Sequence, residues 1–516
     1  MALARLFANK AALVAPRADA VNHEGGAAYA YAPEERLAQL AMTGTLGDGA
    51  YAAAEAQLVD LLDAARGCDP LFVARAAVHA RKAGAMKDAP ALLTAYLTVA
   101  EPDLAVRVFG RTIDNARMLR SFVQILRSGQ VGRRSLGTRP RWLVRQWLEQ
   151  ASTGQLLRAA TGTAPSLADI VRMVHPAPAT PERRAFYGWL IGKPYDQAAL
   201  PPEIAGFEAW KRDPARPLPH VPFEWLTAHP LTREQWGTIA LERMGWQALR
   251  MNLNTLARQG AFDVPGVVQG VAARLADADA IASARVLPYQ LMVAMNEVGE
   301  GVPLAVQAAL EQALEVALGH VPVLAGQLVV CPDVSGSMHW PVTGWRKGAT
   351  SKVRCIDVAA LVSAALLRAN RKARVLPFAE TVKPVWLRSG ARLAVNTAKL
   401  AAQGGGGTNV SAPLARLNRH GARVDTVVIV SDNQSWLDPA RHGASATMAE
   451  WARLKARNPA ARLICIDIAP YGTSPVQSGA DILNIGGFTD AVFDTMARFA
   501  QGQARSRVEI IDEVEI

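Results

Sequence analysis

Residues 328–340, LVVCPDVSGSMHW, constrain the fold more tightly than any other stretch of the chain. Leu328-Val329-Val330-Cys331 is an apolar run of the length and composition of a buried strand, and it ends at a sharp polar turn. That turn carries Asp333, Ser335 and Ser337 at alternate positions around Gly336, a residue that permits tight backbone approach. Oxygen donors of this kind suit a hard divalent cation such as Mg²⁺, which prefers octahedral oxygen coordination and retains several waters. In an open α/β sheet, the carboxyl end of a strand is also where ligands bind.

Two later stretches supply the remaining donors. Gly404-Gly405-Gly406-Gly407-Thr408-Asn409 is a flexible loop that brings a threonine hydroxyl up to a helix. Thr426-Val427-Val428-Ile429-Val430-Ser431-Asp432-Asn433 is a second β-branched strand ending in an aspartate. A strand ending in DxSxS, a loop bearing Thr and a later strand ending in Asp together closely resemble the von Willebrand factor A domain and its metal-ion-dependent adhesion site. The resemblance implies that Asp333, Ser335, Ser337, Thr408 and Asp432 hold one divalent cation, Mg²⁺, directly or through water. It also implies one coordination position open to a partner's carboxylate.

At 516 residues the chain exceeds what one hydrophobic core usually supports, so two or more domains are expected. Its four cysteines, Cys68, Cys331, Cys355 and Cys465, are widely spaced and form no CxxC or Cys/His cluster. Two of them fall inside apparent strands, which points to reduced, buried thiols in a cytoplasmic protein and away from structural zinc. Lys10 breaks the apolar runs near the amino terminus, so no signal sequence is expected there. No segment has the uninterrupted apolar length that crosses a bilayer, and no membrane association is expected.

The formal charge of +11 is unevenly placed. Residues 1–320 carry 33 Lys+Arg against 30 Asp+Glu, yet residues 107–145 alone contain ten arginines and one acid, Asp114. The rest of that half is therefore acidic. Solvated helix faces ordinarily mix signs, so an arginine field on an acidic background points to a polyanion partner.

From Glu34 to His320 the pattern is helical almost throughout, with short Gly, Asp or Pro punctuation and Asp69, Asp88 and Asp114 standing where helix caps are wanted. Short helices joined by short connections fit an α-solenoid of stacked pairs, although no clean repeat period is visible. Lys193 to Leu231 is rich in proline, and extended turns or a long loop are expected there. Beyond residue 326 the pattern alternates: KVRCIDVAALVSAALLRAN and TMAEWARLKARN read as helices, ARVLPFA and ARLICIDIAP as strands, as in a doubly wound α/β domain. The expected partition is an amino-terminal arm (1–33), a helical-repeat domain (34–320), an α/β domain (326–503) and an acidic tail (504–516). The tail's β-branched residues fit an added edge strand or packing on the solenoid.

A second resemblance spans nearly the whole chain. MLRSFVQILRSGQVGRRSLGTRPRWLVRQWL, MVHPAPATPERRAFYGWLIGK, MGWQALRMNLNTLARQGAF and ASARVLPYQLMVAMN, in this order ahead of an A domain, resemble the Ro autoantigen family, with bacterial Ro proteins the nearest match. The resemblance implies a TROVE module, a monomeric ring of HEAT-like helical repeats closed by the A domain. It implies binding of small Y RNAs on the outer basic surface, with single-stranded 3′ ends of misfolded RNAs in the central hole. It further implies RNA quality control alongside the exoribonuclease polynucleotide phosphorylase. The residues so implicated are Arg111, Arg117, Arg120, Arg127, Arg133, Arg134, Arg139, Arg141, Arg145 and His175. Guanidinium groups fork onto phosphate oxygens and stack on exposed bases, which suits RNA. Trp142 and Trp147, spaced with Leu143 along one helix, read as core residues.

Three function classes follow. The leading one is a non-catalytic RNA-binding scaffold. A metal-dependent nuclease would want carboxylates holding paired metals, whereas this site offers two aspartates among hydroxyls. The third is a metal-dependent adhesion scaffold without RNA binding. Steep salt dependence marks the first and chelator sensitivity the last.

Overall fold

The structure, a computed structural model, describes residues 15–42, 54–162, 164–284, 286, 288–319, 321–342, 353–437, 443–487, 491–504 and 506–516. The start of the arm and His320, the expected end of the helical-repeat domain, lie outside these. The chain forms two compact units, one gathering the chain up to Ala89 with Leu318–Glu515, the other running from Pro90 to Ala317.

In the first unit, a small antiparallel sheet is built from β1 (Ala20–Val21), β2 (Ala27–Ala30) and, far along the chain, β7 (Thr473–Ser474). The larger sheet contains β3 (Leu328–Pro332), β4 (Arg374–Val375), β5 (Thr426–Ser431), β6 (Arg462–Asp467) and β8 (Ile482–Gly486), in the order β4-β3-β5-β6-β8 and parallel throughout. Every residue of β3, β5 and β8 is buried, which explains why these strands read as continuous apolar runs. On one face Val329, Cys331, Val427, Ile429, Leu463 and Cys465 form a core with Phe378, Leu414, Leu417, Trp451 and Leu454. Helices Cys355–Ala369 and Ala491–Ala500 also pack on the sheet. The four cysteines are free and buried. Strand order reverses at β3, which has β4 on one side and β5 on the other, so the carboxyl ends of β3 and β5 flank a topological switch point.

The amino-terminal segment is more than an arm, and helices assigned to the solenoid belong with the α/β unit. Helix Pro33–Leu40 buries Leu37, Ala38, Gln39 and Leu40 and packs against β8, where the Gln39 side-chain amide donates to the Asn484 carbonyl at 2.8 Å. The tail forms no edge strand: Arg507–Asp512 is a helix, capped by Ser506, that packs on Pro33–Leu40 and Pro70–Lys82, helices of the stretch expected to be solenoid. Its buried residues Arg507, Ile510 and Ile511 fall at helical spacing, which overrides their β-branched composition.

The second unit is helical among its described residues. Helix Pro102–Thr112 packs on Thr138–Gln150, Ala116–Ser128 on Thr153–Ala159, and Thr138–Gln150 on Leu167–Val174, so each helix meets the next but one as in stacked helical pairs. In Ala116–Ser128 the three- and four-residue spacing buries Met118, Leu119, Phe122, Val123 and Leu126 and leaves Arg117 and Arg127 exposed. Asn115, not the expected Asp114, caps this helix by accepting from the Met118 amide at 3.1 Å. Asp69 caps Pro70–Lys82 as expected. The proline-rich stretch is not a long loop. Its prolines open helices Pro202–Arg212 and, from Pro222, Phe223–Leu226, and Phe207, Trp210, Trp225 and His229 pack into an aromatic cluster.

Candidate metal centre and arginine field

All five predicted metal ligands lie in the first unit, on three loops that hold one another in place. The loop after β3 is joined to the glycine loop by two backbone bonds, Gly336 N–H to the Gly406 carbonyl and Gly405 N–H to the Val334 carbonyl, both 2.9 Å. The glycine loop meets the loop after β5 where the Trp436 and Leu437 amides donate to the Thr408 carbonyl, and the Val410 amide donates to the Ser435 hydroxyl at 3.0 Å. Four consecutive glycines serve this close fit. Gly405 and Gly406 have φ of +122° and +97°, and a Cβ at Gly407 would come within 2.7 Å of the Trp436 ring. The segment read as flexible is thus packed and specific.

Within this frame Asp333 and Ser335 are fully buried, and Thr408 and Asp432 nearly so. Asp333 accepts from the Ser335 amide at 2.8 Å and, through its other oxygen, from the Ser431 hydroxyl at 2.6 Å. The Ser335 and Ser337 hydroxyls are 3.3 Å apart. Asp432 accepts from the Gln434 amide at 3.3 Å and from the Ser337 side chain. Burial, with the charge of Asp432 added, pushes the Asp333 carboxyl up to about 7, and burial raises Asp432 as well.

Among the described residues, no basic side chain figures in the main influences on these two buried carboxylates, which makes them a donor set suited to a cation. A divalent cation supplies that charge, and the three hydroxyls are the hard oxygens to complete its shell. Among the described residues no group of three or more His, Cys, Asp or Glu could hold a metal. The site therefore depends on the hydroxyls of Ser335, Ser337 and Thr408. Ser431, which orients Asp333, escaped the motif because its role requires two neighbouring strands in register.

The arginine residues and His175 fall in the second unit and divide by environment. Arg117, Arg127, Arg134, Arg139, Arg141 and His175 are exposed; Arg111, Arg120, Arg133 and Arg145 are half-buried. Three of the latter bind their own fold: Arg120 donates to the Ala159 carbonyl at 3.1 Å, Arg145 to the Val174 carbonyl at 2.5 Å, and Arg133 to the Thr98 hydroxyl at 3.4 Å. Arg139 pairs with Asp103 at 2.9 Å. His175 caps helix Leu167–Val174 in the left-handed conformation, immediately after the carbonyl that Arg145 holds. Trp142, expected in the core, is 47% exposed beside Arg141, because Pro140, Leu143, Val144 and Leu148 fill the buried stripe.

Among the described residues, no helix is long and apolar enough to cross a membrane. The model of the Ro60 vWA domain matches residues 327–500. The chain is 25% identical over 524 residues to the RNA-binding protein RO60 of Deinococcus radiodurans, covering 93% of this chain and 95% of that protein. The crystal structure of the Deinococcus radiodurans RO (RSR) protein superposes with a TM-score of 0.61 at 21% identity, over 92% of this chain and all of the other. Residues 327–500 are thus similar to the Ro60 vWA domain, and the site at the ends of β3 and β5 lies within that match.

Proposed function

We propose that this protein is a non-catalytic RNA-binding scaffold. One observation carries this reading: Arg117, Arg127, Arg134 and Arg141 project exposed from a segment with a single acid, on a unit whose remaining surface is not basic. The similarity to the RNA-binding protein RO60 of Deinococcus radiodurans supports it. Exposed guanidinium groups contact phosphate, and Trp142 beside Arg141 offers a flat face to an unpaired base. On this reading the RNAs are small structured Y RNAs and misfolded RNAs with single-stranded 3′ ends, and degradation is done by a partner exoribonuclease such as polynucleotide phosphorylase.

The metal centre has a separate role. Asp333, Ser335, Ser337, Thr408 and Asp432 would hold Mg²⁺, which when bound supplies an electrophilic position for a partner's carboxylate. With two acids among three hydroxyls, the donor set lacks the carboxylates that bridge paired metals in phosphodiester hydrolysis. Trp340 and Trp436, 40% and 48% exposed, give the site an apolar rim suited to a protein surface.

The test is a filter-binding titration of the purified protein with its copurified RNA at increasing salt, with and without EDTA. Binding that weakens steeply with salt and ignores EDTA supports the reading. Binding that ignores salt and fails in EDTA replaces it with metal-dependent adhesion.

A further inference from the structure

The hairpin formed by β1 and β2 turns at Asn22-His23-Glu24-Gly25-Gly26, directly against the loop that carries Asp432. The turn is self-bracing: the Asn22 side-chain oxygen accepts from the Glu24 and Gly26 amides at 3.1 and 2.8 Å. It is also strapped to the loop after β5. The Asn22 side-chain amide donates to the Ser435 carbonyl at 2.6 Å, and the His23 amide donates to the Gln434 side chain at 3.0 Å. The His23 ring meets Tyr471 edge-on at 5.3 Å. Contact is so close at Gly26 that a Cβ there would stand 2.0 Å from the Ser435 carbonyl oxygen. This glycine is needed for backbone approach.

The strap puts one acidic side chain at the mouth of the metal centre. Glu24 lines a cleft of about 420 Å³ whose other walls are Ser337, Thr408, Gly336, Gly406, Gly407 and the rings of Trp340 and Trp436. Among the described residues it is the only ionisable one in that lining. Glu24 is itself exposed, and as it stands it forms no group of three acids with Asp333 and Asp432, so its carboxylate reaches the centre by swinging in from the mouth of the cleft. The turn fixes the backbone of Glu24 beside the cleft, and a cation at the centre supplies the attraction that draws the carboxylate in.

We infer that Glu24 is the protein's own carboxylate ligand for the cation of the vWA site, held in cis by the hairpin turn, so that a partner's carboxylate binds only by displacing it. The inference rests on the metal reading of the site and adds to it a built-in occupant. It makes the centre self-capped and turns the hairpin into a gate whose opening exposes the cation. The gate's strength is set by Asn22, His23 and Gly26, none of which is a ligand.

The experiment measures Mg²⁺ affinity by calorimetry, and Mn²⁺ hydration by water proton relaxation, in the full chain and in E24Q, E24D, G26V and D432A. E24Q is expected to weaken Mg²⁺ by at least about tenfold, the smaller end of what loss of a supporting ligand costs at metal sites. Bound Mn²⁺ should gain one inner-sphere water, and E24D should recover part of the affinity. G26V, which lifts the turn without touching a ligand, should reproduce E24Q with an unchanged circular dichroism spectrum. Acetate should bind the Mn²⁺-loaded E24Q protein more tightly than the wild type. If D432A loses Mg²⁺ while E24Q and wild type match in affinity and hydration, the capping inference is overturned and the metal site stands. If wild type and D432A bind Mg²⁺ equally, or neither binds, both fail.

Discussion

Replacing Arg117, Arg127, Arg134 and Arg141 together by glutamine tests the RNA reading quantitatively. These four are exposed, whereas Arg120 and Arg145 bind backbone carbonyls and Arg139 has Asp103. Each phosphate neutralised by a cation contributes about 0.7 to the slope of log affinity against log salt for single strands and about 0.9 for duplex. Removing four contacts should therefore flatten the slope by about 3 to 4. Between 50 and 200 mM salt, these contacts account for a loss of about 50- to 150-fold, which the variant should no longer show. The assay is filter binding of labelled RNA over that range. A matched variant, Arg120→Gln with Arg145→Gln, serves as the contrast. It should keep most of the slope but lose stability, by about 1 to 3 kcal/mol for each buried carbonyl left without its donor. Slopes that agree within one unit between wild type and the four-residue variant would refute the assignment.

Asp333→Ala, Ser335→Ala and Asp432→Ala should each abolish Mg²⁺ binding by calorimetry and leave RNA affinity within about twofold, because the arginine field belongs to the other compact unit; a large loss of RNA binding in a folded variant would show coupling. His79 is buried, and burial followed by the charges of Arg507 and Arg498 lowers it from 6.5 to about 4. Because its folded value lies below the unfolded one, the stability it contributes is complete above pH 6.5 and is lost as the pH falls towards about 4. The full span is about 3 kcal/mol. His79→Leu should remove that component, read as the difference in urea midpoint between variant and wild type at pH 7.5 and pH 5; a pH-independent difference would contradict it. Purified protein should not cleave labelled RNA with or without Mg²⁺; cleavage by wild type that Asp333→Ala lacks would establish a nuclease.

The α/β unit was legible because a parallel strand buried on both faces leaves an apolar run that few other structures produce, as in β3, β5 and β6. Its donor residues were legible for a related reason: Asp333, Ser335 and Ser337 are close in sequence, and Asp432 directly follows a strand. What could not be read was anything that depends on distant segments meeting. Glu24 fell within the expected amino-terminal arm, although Gly25-Gly26 after Asn22 is an ordinary turn signal. The partner of β2 is β7, and nothing local announces that pairing. Among the arginines, charge density marked the region but not the division of labour. Whether a guanidinium meets solvent, as at Arg134, or a carbonyl, as at Arg145, depends on which helix end lies nearby. Trp142 was misread because helical spacing alone does not fix the phase of the buried stripe.

The joining of the amino-terminal hairpin to the loops of the vWA unit has a consequence for biosynthesis. Asn22 and its partner Ser435 are 413 residues apart, and Gln39 and Asn484 are 445 apart. At 5–20 residues per second, a ribosome needs roughly 20 to 90 seconds to make the distance between them. During that interval the first segment to emerge has no sheet to join, while the whole helical unit, Pro90–Ala317, is completed behind it. Folding of this chain therefore runs out of sequence order: the middle can finish first, and the beginning waits for the end. Stalled or truncated translation products would carry an orphaned amino-terminal segment with Leu37 and Leu40 uncovered, a ready target for chaperones and proteases.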